Sequence, residues 1–336
     1  QGLYKKEYSM RAICYDKFGT AAQVLKITDL PDPRAGHGEV LVKLTYSGVN
    51  PSDVKSRLGS RPGVTKPAFD FIVPHSDGSG VITAVGAGVD PARVGQRVWI
   101  WNGQWGRALG TMAEFIAIPS AQAVHLPDEI SLQAGATFGI PGLTAAQCVL
   151  GGDDIKGQTV LVSGGAGAVG HFAVQIAKWA GAQVIATASL KNWDHVRAAG
   201  ADHVLDYNSA ELIEEIKALC PNGVDRSIEL EFGANISLLA KVMRPLGTIA
   251  AYGSAIDLNP KIPFGPLLFK ALKIDISLIY ILDDAPRNNA INNLHQAFAD
   301  GALIPSIDEV YDFEACIQAH EKVEQAGRRG ASLIKL

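Results

Sequence analysis

The stretch Thr159-Val-Leu-Val-Ser-Gly-Gly-Ala-Gly-Ala-Val-Gly170 narrows what this chain can fold into more than any other part of it. A short apolar run leads into glycines at 165, 167 and 170, in the order G-x-G-x-x-G, and a helical pattern follows over 167–180. Each glycine answers a separate steric demand. A tight turn needs a residue free of Cβ, the second position lets backbone come close to a diphosphate, and the third lets helix and strand pack together. The N–H groups and dipole at the start of the helix then favour an anion. Strand, turn and helix in this order point to a bound dinucleotide.

The flanking sequence keeps the same rhythm. After Gly135, apolar strands over 159–163, 183–188, 203–205, 226–230, 247–252 and 274–282 alternate with amphipathic helices over 167–180, 193–199, 210–219 and 235–243. Such alternation predicts a parallel sheet, and six strands suit a doubly wound one. About twenty residues after the glycine turn, at the end of the second strand, a chain that selects NAD places Asp or Glu against the ribose 2′-hydroxyl. Here that place holds Ser189, with Lys191 two residues on. A small neutral residue beside a cation accepts a 2′-phosphate that a carboxylate would repel, so NADPH is the expected dinucleotide. The plainer reading of Lys191 is a solvated surface charge.

From Met10 to about Pro127 the pattern differs: short strands over 40–46, 80–85, 97–101 and 114–118 are broken by Gly and Pro turns. This is a mostly β, barrel-like domain with few helices. From Asp283 onward a helix, a strand near 309–311 and a last strand over 332–335 return to it. The expected organisation is therefore residues 10–134 and 283–336 as one domain and 135–282 as the dinucleotide domain. Residues 1–9 read as a non-native remnant ahead of the fold.

Composition removes several function classes. Apolar residues make up 47% and charged residues 19%, which suits a compact enzyme and not a disordered chain. A net charge of -4 offers nucleic acid no basic field. No apolar stretch approaches the roughly 20 residues of a membrane helix. The four cysteines are scattered singly, without CxxC pairs or zinc-finger spacing, which suggests a reducing compartment, the cytoplasm.

At this point the sequence resembles the zinc-free branch of the medium-chain dehydrogenases, the quinone oxidoreductases related to zeta-crystallin. The resemblance runs from Met10 to Leu336 and rests on Ser47-Gly-Val-Asn-Pro-Ser-Asp53, Asp77-Gly-Ser-Gly80 with Val85-Gly-Ala-Gly-Val89, and Val94-Gly-Gln-Arg-Val98. Pro141-Gly-Leu-Thr-Ala145, the glycine turn, Gly200-Ala-Asp-His-Val-Leu-Asp-Tyr207 and Gly247-Thr-Ile-Ala-Ala-Tyr-Gly253 extend it. It implies a Rossmann domain joined to a GroES-like catalytic domain, and a homodimer. Zinc-containing members keep Cys, His and Cys where this chain has Asn50, Ser76 and Ile140, a set that makes no zinc site. His75, one residue ahead, reads as a structural or loop histidine.

The same resemblance implies cofactor roles. Gly165, Ala166, Gly167, Ala168, Val169 and Gly170 hold the diphosphate, while Ser189, Lys191 and Tyr207 surround the 2′-phosphate. Thr144 lies near the nicotinamide amide. Phe232 and the pair Gly253 and Ser254 end successive strands where backbone approaches the ribose. Core packing is the alternative for Tyr207 and Phe232.

Hydride transfer to an electron-poor carbon needs alignment and dryness, with a donor where negative charge develops on the acceptor's oxygen. Asn50 is the first candidate donor, its rival role being a turn residue before Pro51. Lys55 stands where zeta-crystallin-like sequences often carry Tyr, and it either polarises an oxygen or faces water. Trp99, Trp101 and Trp105 supply either an aromatic wall for a planar acceptor or core packing. The expected reaction is metal-free reduction of a small quinone or α,β-unsaturated carbonyl. An enoyl-thioester reductase and a low-turnover NADPH-binding sensor or crystallin-like protein are the alternatives.

Overall fold

The computed structural model describes residues 9–336. Strands β1 (Ser9–Cys14), β2 (Lys26–Pro31), β3 (Glu39–Val49), β4 (Asp77–Val85), β5 (Arg97–Ile100), β6 (Phe115–Pro119) and β7 (Ala123–His125) come first. Strands β8 (Thr159–Val162), β9 (Gln183–Ala188), β10 (His203–Asp206), β11 (Val224–Glu229), β12 (Met243–Ala251) and β13 (Lys273–Ile276) follow, then β14 (Ile307–Asp312) and β15 (Ala331–Lys335). Pro141–Ser306 forms one compact unit; the chain up to Ile140 forms the other together with Ile307–Leu336. Residues 1–8 of the expected remnant lie outside the described residues, whereas Ser9 pairs with Pro31 and belongs to the fold.

Both boundaries differ from those read in the sequence, for packing reasons. The segment after Gly135 stays with the first unit because Phe138, fully buried, meets Trp99 edge-on at 5.6 Å. The helix Asp284–Ala299 and the chain beyond it stay with the second unit. Arg287 donates to the carbonyls of Ile279 and Leu282 at 2.9 Å each. Gln175 clamps Ile304 from both sides, accepting its N–H at 2.8 Å and donating to its carbonyl at 3.1 Å.

In the second unit the strand order is β10-β9-β8-β11-β12-β13, with every pairing parallel, which is the doubly wound arrangement the alternation predicts. The central strand β8 is apolar and buried on both faces, while its neighbour β11 buries Arg226, Ser227 and Glu229. The last strand is shorter than the expected 274–282. It pairs only from Lys273 to Ile276, since β12 ends at Ala251 and offers no further partner, and the chain then turns through Ile279–Ile281.

The first unit is built on β3, which pairs with β4, β6 and β15 in the order β14-β15-β3-β4-β5-β7. Its inward residues Val40, Val42 and Leu44 pack with Ile82, Val98, Ile100, Ile116 and Ile118. The returning strands expected near 309–311 and 332–335 are β14 and β15, and the β1–β2 pair is an addition the sequence reading lacked. After β3 the chain enters helix Pro51–Leu58, with Asn50 as its N-cap residue and Pro51 at the first helical position, where a missing N–H costs nothing. Gly59 closes that helix at φ 71°, and a Cβ there would strike Phe18 at 2.4 Å.

Candidate active site

The second unit carries the glycine turn between β8 and helix Ala168–Trp179. Its left-handed residue is Gly164, at φ 69°, one position ahead of the expected Gly165. Gly165 serves packing instead: a Cβ there would lie 3.0 Å from side-chain carbons of Ala186 and Val196. Gly170 is needed for close approach, since its Cβ would fall 2.1 Å from the Gly164 carbonyl oxygen. Gly167 is different. It is the N-cap, with extended backbone at φ -72° and no side-chain cap, and a Cβ there would meet only the Gly164 oxygen at 3.5 Å. The amides of Ala168, Val169 and Gly170 lack intrahelical acceptors by helix geometry and surround this opening. A cradle of backbone donors that a side chain would fill suits a diphosphate.

The strand ends beside it come from neighbouring parallel strands. Thr187, near the end of β9, accepts the Gly165 N–H on its carbonyl at 2.9 Å and the Gly164 N–H on Oγ1 at 3.2 Å. Ser189 follows β9 directly, and its Oγ accepts from Asn192 Nδ2 at 3.1 Å. Lys191 is exposed. Tyr207 follows β10, whose Asp206 pairs with Ala188, and is 49% exposed, which removes the core-packing reading for it. Ser189, Lys191 and Tyr207 thus share the sheet end that carries the turn.

Phe232 behaves otherwise, packing against the buried cluster of Ile236, Leu239 and Ile249 while its N–H meets the Gly253 carbonyl at 3.0 Å. A Cβ at Gly253 would lie 2.5 Å from the Leu230 oxygen. Ser254 Oγ accepts the Gly233 N–H at 2.8 Å and donates to the Asp257 carbonyl. Thr144 is buried in the first turn of helix Leu143–Leu150. The sequence reading missed Glu229, which ends β11 fully buried and accepts from the Glu231 N–H at 2.6 Å and from Asn235 Nδ2 at 2.9 Å. Burial raises its pKa against those hydrogen bonds. The signal was an acid at the end of a strand in the parallel-sheet alternation.

In the first unit, Asn50 is buried and donates from Nδ2 to Asp77 Oδ2 at 2.8 Å, while its own N–H reaches Asp53 Oδ2 at 2.7 Å. Two carboxyl groups therefore flank one amide. Burial pushes Asp53 up to about 7, and burial with the neighbouring Asp53 holds Asp77 well above the carboxylate range despite the Asn50 hydrogen bond. Asp77 lay within a quoted motif, yet its partnership with Asn50 depends on the β3–β4 register that places Gly48 opposite it.

Behind this pair runs a buried hydrogen-bonded chain. Arg57 Nε donates to His320 Nδ1 at 3.3 Å, and the two histidines meet Nε2 to Nε2 at 2.8 Å. His75 Nδ1 meets Ser47 Oγ at 2.8 Å, Ser47 meets Thr111 Oγ1 at 2.8 Å, and Thr111 donates to the Asp77 carbonyl at 2.6 Å. The ends fix the direction, because guanidinium only donates and a carbonyl only accepts. His320 then carries its proton on Nε2 and His75 on Nδ1, an assignment made from the network. Both rings are neutral: burial lowers His75 well below its ordinary value and, with Arg57 adding to it, takes His320 down to about 3. His75 holds a φ of 78°, a left-handed value uncommon outside glycine.

A cavity of about 420 Å³ opens beside helix Pro51–Leu58, with Lys55, Arg61, Tyr15, Phe69 and Trp105 in its wall. Lys55 is exposed there and makes no part of the Asn50 cluster. Of the three tryptophans only Trp105 reaches the cavity. Trp99 is fully buried core, and Trp101 Nε1 donates to the Ala121 carbonyl at 3.2 Å.

Comparison with known proteins places this architecture. Residues 36–128 match the alcohol dehydrogenase GroES-like domain, and residues 168–295 match the domain described as zinc-binding dehydrogenase. A quinone oxidoreductase of Rattus norvegicus is 30% identical over 334 residues, spanning 97% of this chain and 98% of its own. The chain belongs to the medium-chain dehydrogenase/reductase family. Within that family it is also similar to a mycobacterial protein solved in complex with NADPH, 27% identical with a TM-score of 0.84, covering 98% of this chain and 100% of that one. A structure described as an NAD-dependent alcohol dehydrogenase is likewise 27% identical, with a TM-score of 0.86 over 97% of this chain and 100% of that one. The resemblance sets three residues of this medium-chain dehydrogenase/reductase against the zinc ligands of metal-containing members: Asn50, Ser76 and Ile140. Asn50 is committed to Asp77, Ser76 Oγ lies 3.4 Å from the Gln104 N–H, and Ile140 offers no ligand. Among the described residues the donors close enough to share an ion are His75, Cys316 and His320, within 4.8 Å of one another. Their imidazoles bond each other, and the fully buried Arg57 cation sits against His320.

Proposed function

We propose that the chain is a metal-independent NADPH reductase acting on a quinone or an α,β-unsaturated carbonyl. The observation that carries this reading is the open backbone cradle at Gly167, set beside a strand end that holds Ser189 and Lys191 in place of an acid. NADPH, when bound, supplies a hydride from its nicotinamide ring. The protein's own part is to bind and to stabilise charge. Gly165, Ala166, Gly167, Ala168, Val169 and Gly170 hold the diphosphate; Ser189, Lys191 and Tyr207 hold the 2′-phosphate; Thr144 lies near the nicotinamide amide, and the backbone at Phe232, Gly253 and Ser254 approaches the ribose. Asn50, fixed by Asp77, keeps a second amide hydrogen for the acceptor's oxygen as negative charge grows there. Lys55 adds a cation from the cavity wall. The metal-independent reading is supported by Asn50, Ser76 and Ile140, which do not form a zinc ligand set.

The test is to follow NADPH absorbance with 1,2- and 1,4-quinones, 2-alkenals and enoyl thioesters, with elemental analysis alongside. Oxidation by quinones or alkenals without zinc is the expected result, and stoichiometric zinc or NADPH binding without turnover of any acceptor overturns it. Lys191→Ala should weaken NADPH roughly tenfold to a hundredfold, the worth of a charge-assisted hydrogen bond, and leave NADH nearly unchanged. Equal losses for both would remove Lys191 from the 2′-phosphate site.

We also propose a homodimer formed through β13. This strand ends the sheet, and two of its four residues are exposed isoleucines, Ile276 at 76% and Ile274 at 40%. An unpaired strand edge that exposes apolar side chains is a template for a second strand. Light scattering should return twice the chain mass, and Ile276→Lys should return the monomer; a monomeric wild type would refute the dimer. Four free cysteines suit the reducing cytoplasm.

A further inference from the structure

We infer that the cavity beside helix Pro51–Leu58 takes a conjugated acceptor that carries an anionic group, of the carboxylate or phosphate type. The inference rests on the reductase reading and specifies its substrate. Two cations, Lys55 and Arg61, line the cavity, and no Asp or Glu is among its lining residues. That is opposite in sign to the chain as a whole, whose net charge is -4. A cleft lined by one sign of charge focuses its field on ligands of the other.

Among the described residues neither cation is neutralised by a carboxylate. The neighbouring Arg57 shows the contrast, being fully buried and bonded to Glu324. Asp53, the carboxyl nearest Lys55 in sequence, is buried at the start of the helix and bonded to the Asn50 N–H. Arg61 is held over the Trp105 ring, its guanidinium carbon 5.2 Å from the centroid. Stacking restrains a long side chain while leaving its N–H edge for a carboxylate or phosphate. Tyr15, Phe18, Phe69 and Trp105 supply flat apolar surface in the same wall. A neutral quinone would use that aromatic surface and place its oxygen near Lys55, but leave Arg61 without a counterpart. A planar conjugated acid uses both.

The anion has two chemical sources: a carboxylate on the acceptor itself, or the phosphates of a thioester carrier. The experiment compares 4-carboxycinnamaldehyde with its methyl ester, and crotonyl-CoA with crotonyl-pantetheine, by kcat/KM for NADPH oxidation. In the wild type the charged member of at least one pair should be favoured about tenfold, the scale of one to two partly solvated ion pairs. Which pair responds identifies the source. In the Lys55→Gln/Arg61→Gln double variant, and in 0.5 M salt, roughly that ratio should fall to about 1. A wild-type ratio near 1 in both pairs, or a preference that survives the double substitution, overturns the inference. Calorimetry with 2-naphthoate and methyl 2-naphthoate separates this from failure of the reductase reading, because it needs no turnover. Tighter binding of the acid that is lost in the double variant sustains the anion site even if no acceptor is reduced; equal binding sinks it.

Discussion

Gly167→Val is expected to weaken NADPH about a hundredfold while leaving the fold intact. At this position the backbone is extended and a Cβ meets only an oxygen at 3.5 Å, which is ordinary van der Waals contact, so the protein itself has room for the side chain. The room belongs to the ligand. A valine there stands between the diphosphate and the amides of Ala168, Val169 and Gly170, and losing one or two charge-assisted hydrogen bonds costs roughly 3 kcal/mol, or about two decades in affinity. The change at an uncapped N-cap costs about 1 kcal/mol at most, a shift of a few degrees in Tm. Gly170→Val is the control with the opposite outcome. Its Cβ would overlap the Gly164 oxygen at 2.1 Å, so stability falls with affinity. Calorimetry with NADPH and thermal unfolding on both variants check this. Undiminished NADPH binding in Gly167→Val would mean that the cradle is not the diphosphate site.

The largest stability effect is expected at Arg57. Its side chain is fully buried and donates to His320 and to the Gly19 carbonyl, as well as to Glu324. Arg57→Leu leaves His320 Nδ1 buried without a donor and takes the guanidinium from the half-buried Gly19 carbonyl. Breaking a buried, hydrogen-bonded charge costs about 3 to 5 kcal/mol, with Tm falling by roughly 10 °C. Glu324 adds little to that loss, because its side chain is 38% exposed and water replaces the guanidinium. Thermal unfolding followed by tryptophan fluorescence in a Trp179→Phe/Trp193→Phe background reads the first unit, where the remaining Trp99, Trp101 and Trp105 reside. A Tm unchanged within 2 °C or so would show that the buried chain adds no stability beyond packing.

What the sequence disclosed follows the distance over which each feature is specified. The glycine turn and the strand ends at Ser189 and Tyr207 are local patterns, and the parallel sheet they belong to follows from repeated alternation. Even there, the motif's consensus misplaced the left-handed residue by one, because Gly164 is a second glycine ahead of it. The apolar run after Lys273 reads as a long strand only until its neighbour's length is known. The Arg57–His320 contact joins residues 263 apart, and no spacing rule reaches that far. Asn50 was visible as a donor, but its partner Asp77 was set by strand register, and Lys55 found its place only when the cavity around it was defined.

The interruption of the first unit by the second bears on how the chain is made. Pro141–Ser306 is continuous, so it can fold on the ribosome as soon as it emerges. The first unit cannot. Its spine β3 waits for β15, and Arg57 waits for His320 and Glu324, all supplied by Ile307–Leu336, which follow the second unit in the chain. Until those residues emerge, the first unit's barrel lacks a strand partner and leaves the Arg57 cation without its His320 and Glu324 acceptors, which makes this stage of synthesis the one at which a chaperone has most to hold.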